Sequence, residues 1–121
     1  MTVEFALVAP LAFFITFSAV EFARLNMLVN SMENAAYEAA RRGIIPGATT
    51  ANCRAEATAM LQAVGAVNAT VTVTPATITT TTPSVTVAIS VPLNDNAWVL
   101  PRFTKNAVLV RSCTLNRETG F

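Results

Sequence analysis

The chain has 121 residues, enough for one modest domain. More than half of them (53%) are hydrophobic and only 12% are charged, about half the usual share of a soluble domain, which is about 25%, so the surplus apolar surface has to meet lipid or another chain. A net charge of +1 gives no footprint for nucleic acid, and the absence of histidine removes the commonest general base and transition-metal ligand.

The opening segment MTVEFALVAPLAFFITFSAVEFARL has no charge between Phe5 and Val20, with Glu4 before the run and Glu21 after it. A transmembrane helix needs about 20 apolar residues; this run is slightly short, and its flanks extend it. A secretory signal peptide would call for a basic start, and no Lys or Arg precedes the run. Two readings remain, a plain membrane anchor and an assembly helix that lies in lipid before polymerisation and in protein afterwards. Glu4 favours the second. An acid at the lipid end of an apolar helix is costly without a partner, and the free amine at Met1 of a neighbouring chain would supply one and fix axial register. The plainer alternative places Glu4 in the headgroup layer. The residues that would be buried are Phe5, Leu7, Val8, Pro10, Leu11, Phe13, Phe14, Ile15, Phe17 and Val20. Pro10 lacks a backbone donor, which predicts a kink between Ala6 and Pro10.

Beyond Val20 the pattern becomes amphipathic. Phe22, Leu25, Leu28, Met32, Ala36, Ala39 and Ala40 recur at helical spacing, and Glu21, Arg24, Asn30, Glu33, Glu38 and Arg41 fall mainly elsewhere. Glu38 and Arg42 are spaced for an i,i+4 pair. Gly43 supplies a stop, confirmed by Pro46. The spacing therefore predicts one helix from Thr2 to Arg42, and a division into a helical segment 1–43 and a head 44–121.

In the head, residues 44–51 read as a linker. A second helix capped by Asn52 or Thr50 runs to Gly65, with Cys53, Ala57, Met60, Leu61 and Val64 on its inner face. From Asn68 the period becomes two. Strands are predicted over Thr70–Thr74, Val85–Val91 and Ala107–Leu115, closed by Pro75 and Pro92. The predicted fold class is α+β: a long N-terminal helix and a small head made of a short helix and a three-stranded antiparallel sheet. Trp98 and Phe103 are expected to cover the open end of its core. Asn94, Asp95 and Asn96 offer one carboxylate, which suits a turn better than a calcium site.

Cys53 and Cys113 are too far apart in sequence for a zinc-knuckle or thioredoxin motif. In an exported chain they read as one disulfide, in a cytosolic one as two buried thiols; the apolar start favours the exported reading. A link across this loop would be worth about 4 kcal/mol. Thr79, Thr80, Thr81 and Thr82 lie in a threonine-rich loop that reads either as a polar loop or as a carrier of O-glycans. Asn68-Ala69-Thr70 fits the N-glycosylation pattern, one that short sequences match by chance. With no histidine, scattered acids and no phosphate loop, no catalytic or metal-binding constellation and no cofactor site can be assembled.

The stretches TVEFALVAP (Thr2 to Pro10), EFAR (Glu21 to Arg24) and NAAYEAARRGIIPGAT (Asn34 to Thr49) resemble the TadE-like family of pilins and pseudopilins of tight-adherence (Tad) systems, within the type IV pilin group. The head resembles it only in layout. The resemblance implies a type IV pilin-like fold and a precursor whose short basic leader is removed by a membrane prepilin peptidase. It also implies an ATPase-driven inner-membrane machine that builds an extracellular filament or short pseudopilus. Glu4 stands where the family has its glutamate, one position earlier than in many pilins, and the sequence, starting without a basic leader, reads as a mature form. The function expected is a structural subunit, polymerising with copies of itself through the N-terminal helix, first in the inner membrane and then on the bacterial surface. The alternatives are a minor pseudopilin that primes or tips a Tad pilus and a membrane-anchored binding module; an enzyme is not expected.

Overall fold

The computed structural model describes residues 1–96 and 107–117, so the places of Trp98 and Phe103 lie outside the described residues. Helix α1 spans Thr2–Gly43 without interruption through Pro10, a length of about 60 Å at 1.5 Å per residue. Helix α2 spans Thr50–Ala63, and strands β1 (Thr70–Thr74) and β2 (Ser84–Pro92) follow. A single helical turn, α3 (Leu93–Asn96), stands where a turn was predicted, and β3 covers Val108–Asn116. The three strands form one antiparallel meander in the order β1-β2-β3. This is the α+β, pilin-like layout expected from the sequence.

The sheet follows from alternation. In β2 the inward residues Val85, Val87, Ile89 and Val91 are fully buried. Val73 pairs with Val87, and Leu115, Cys113, Arg111 and Leu109 oppose the four buried residues from β3. The other face carries small, mostly hydroxylated residues, with Thr86 and Thr114 joined at 2.8 Å through their hydroxyls. Both helices cover the inner face of this sheet. α1 contributes Leu28, Met32, Ala35, Ala36, Ala39 and Ala40, and α2 contributes Cys53, Ala57 and Leu61. Alanines at the crossing let the helix axes and the sheet come close.

Several local expectations change. Phe22, placed on the head-facing stripe by spacing, points outward and is 66% exposed, whereas Glu21 is only 3% exposed. The stripe that the head covers is one residue out of phase with the one read from hydrophobicity at this level. Glu38 approaches Arg41 at 3.9 Å rather than Arg42. Gly43 is the last helical residue, not a left-handed stop; Ile44 caps α1 in right-handed geometry. Glycine is required at position 43 because a β-carbon there would lie 2.9 Å from both Cys53 Sγ and Val85 Cγ1. The left-handed glycine of the following connection is Gly47, at φ +84°. The cap of α2 is Thr49, whose hydroxyl accepts from the Asn52 amide at 3.3 Å, and neither Thr50 nor Asn52.

Two polar clamps hold the connections. Arg117 donates to the Ile44 and Ile45 carbonyls, both at 3.1 Å, and to the Thr79 carbonyl at 2.6 Å. One cation thus satisfies carbonyls just past the end of α1, where the helix dipole favours positive charge, and ties in the threonine loop. Asn96, on α3, accepts from the Val67 amide at 2.7 Å and donates to the Val67 and Pro92 carbonyls, each at 2.8 Å. Next to it Asn68, at φ +57°, donates to Asp95 at 2.8 Å. Asn tolerates this left-handed backbone better than most residues.

Candidate assembly surface

From Thr2 to Val20 none of α1 is buried, and its most apolar 18-residue window has a mean hydropathy of 2.0. By length and composition α1 can cross a membrane. Every large residue named from the sequence (Phe5, Leu7, Val8, Leu11, Phe13, Phe14, Ile15, Phe17 and Val20) is exposed. They form one continuous helical surface because nothing in the head reaches below Glu21 among the described residues. The molecule exposes 7955 Å², where a compact monomer of 12.8 kDa exposes about 6,300 Å².

The polar atoms of this segment are already satisfied. Thr16 and Ser18 turn their hydroxyls back to the carbonyls of Ala12 (2.9 Å) and Phe14 (2.8 Å), so they can enter an apolar medium without losing a hydrogen bond. Glu4 is the acid of the first turn, where the helix dipole favours negative charge. It is exposed and forms no ion pair among the described residues. Met1, fully exposed, closes the first turn through its carbonyl, which accepts from the Phe5 amide at 3.1 Å.

Both cysteines are free thiols in this structure. Cys53 is buried against the Gly43–Val85 contact, and burial pushes its thiol pKa up. Cys113 is half-buried on β3, opposite Val87. Cys53 stands on α2 and Cys113 on the sheet face that packs against the helices, and both border the same core. In the threonine loop, Thr79, Thr80 and Thr81 are exposed. Thr82 is buried and its hydroxyl accepts from the Thr79 amide at 2.9 Å, which removes it from the set of accessible glycan acceptors. The cleft between α2 and β1, lined by Thr58, Leu61, Gln62 and Asn68 among others, holds about 170 Å³, below the several hundred cubic ångströms typical of small-molecule sites. Sequence reasoning missed Arg117, Asn96 and the Arg111–Glu33 ion pair (3.3 Å) that ties β3 to α1, because each joins residues distant in sequence.

The molecule is thus an α+β head with a closed core on a helix whose N-terminal half is apolar and uncovered. The family model described as TadE-like protein matches residues 1–41, a third of the chain and nearly all of α1. The matched segment holds the opening motifs that resemble the TadE-like family. No curated protein and no solved structure matches the chain.

Proposed function

We propose that this protein is a structural subunit of a Tad-type filament, polymerising with copies of itself through α1. The observation that carries the reading is the contrast within α1: from Leu28 onward its inner face completes the core of the head, and from Thr2 to Val20 none of it is buried among the described residues. Removing that surface from water is worth roughly 25 cal/mol per Å², so the spike resides either in lipid or among other spikes. Lipid tails and apolar side chains are about equally good surroundings. Transfer from one to the other therefore costs little in hydrophobic free energy, which is what a subunit held in the inner membrane and then moved into an extracellular filament requires. On this reading the membrane prepilin peptidase and the inner-membrane assembly machinery handle the chain before polymerisation.

Glu4 supplies register. Once the spike is surrounded by copies, an unpaired carboxylate would be costly, and the amine of a neighbouring Met1 is a compact cation able to meet it.

Electron microscopy of the purified full chain beside Glu4→Ala tests this. Wild type is expected to give thin filaments and the variant none. A wild-type protein that stays monomeric under every polymerising condition would overturn the main-subunit reading and leave a minor pseudopilin, which needs a second protein to form the filament.

A further inference from the structure

The connection from α2 to β1, residues 64–69, lies at the lower end of the head. Val64, Gly65 and Ala66 border one small cleft with Met27 and Leu28 of α1 and with Asn96, so the connection stands at the level of Met27. The next residue, Val67, keeps 48% of its surface exposed. Its backbone is nonetheless satisfied: Asn96 accepts from the Val67 amide through Oδ1 at 2.7 Å and donates to the Val67 carbonyl through Nδ2 at 2.8 Å. An apolar side chain is thus presented at a loop position whose backbone polar groups have partners. Entry into a poorly hydrated layer requires this, because an N–H or C=O without a partner is costly there.

We infer that Val67 is a membrane-surface contact: while α1 spans the bilayer, this tip beds in the headgroup layer on the side where the head emerges. The inference rests on the membrane stage of the filament reading. Distances along α1 carry it. Centred on the apolar run Phe5 to Val20, a bilayer core of about 30 Å takes about 20 helical residues and ends near Phe22. Met27 stands roughly 7 Å beyond that edge, and the headgroup layer adds about 5–7 Å on each side of the core. The tip lies off the α1 axis, at the end of a helix packed against α1. With packed helices about 8–10 Å apart, a usual tilt of about 20° toward that side lowers the tip by ~3 Å more. The charged residues at this level among the described residues, Arg24 and Asp95, have opposite signs, which suits a zwitterionic headgroup layer.

The test is methyl NMR of the unmodified full chain in phosphatidylcholine nanodiscs, one chain per disc, with and without a lipid that carries gadolinium on its headgroup. Ile45, 50% exposed just past the far end of α1, is the reference, and Ile15 reports the span through Overhauser contacts with acyl chains. The inference expects relaxation at the Val67 methyls to be enhanced at least threefold over Ile45, with Ile15 in contact with acyl chains. Enhancement at Val67 no greater than at Ile45 would overturn it while leaving the span intact. Contacts between Val67 and a neighbouring chain in discs that hold two chains, with no enhancement in single-chain discs, would assign the tip to a second copy and also overturn it. Absence of acyl contacts at Ile15 would remove the membrane stage itself, and the inference with it.

Discussion

The two halves of α1 are built from similar residues and have opposite fates. Residues 5–20 are apolar all round and none of them is buried among the described residues, whereas residues 28–43 are apolar mainly on one side and bury that side against the head. Hydrophobicity alone does not decide which surface a domain keeps for itself. What decides is whether another element of the same chain is long enough to reach it. Among the described residues the head has two short helices and three strands, and its core is built on the upper half of α1.

This contrast can be broken by substitution. The largest effect is expected from Ile89→Ala, which opens a cavity in a fully buried position between sheet and helices. It should cost about 2–5 kcal/mol, seen as a fall in the unfolding temperature of the head in detergent. Phe14→Ala, on the spike, removes more side chain and should leave that temperature unchanged; a comparable fall would mean that the spike packs on the head after all. Next is Gly43→Ala. The added carbon would meet Cys53 Sγ and Val85 Cγ1 at 2.9 Å, and overpacking of this kind costs about 1–3 kcal/mol. An unchanged denaturation midpoint would show that the contact relaxes freely. The smallest is Thr49→Ala, which removes the hydroxyl capping α2. About 1 kcal/mol is expected, measurable by chemical denaturation, with no effect on the behaviour of the spike.

Much of this architecture was legible in the sequence because it rests on local periodicity. The alternation in Thr70–Thr74 and Val85–Val91 located two strands to within a residue at each end, and the unbroken apolar run located the spike. Alternation also placed β3, shifted by one residue from the expected Ala107–Leu115. The failures share a cause. Phe22 and Glu21 were assigned to the wrong sides because a hydrophobic pattern records what a residue prefers, and the head covers what it can reach. Gly43 was read as a stop signal because its need for a bare α-carbon comes from Cys53 and Val85, which are distant in sequence. Thr82 was grouped with three exposed threonines, although its hydroxyl closes a turn inside the loop.

The sequence by itself determined the long helix, the apolar character of its first half, the strand alternation and the TadE-like motifs, because each is written in neighbouring residues and their periods. Only the tertiary structure decided which arc of α1 is covered, that Arg117 ties the end of α1 to the threonine loop, and that Asn96 pins the start of the sheet. Those depend on contacts across tens of residues, where chain packing and not local preference sets who meets whom.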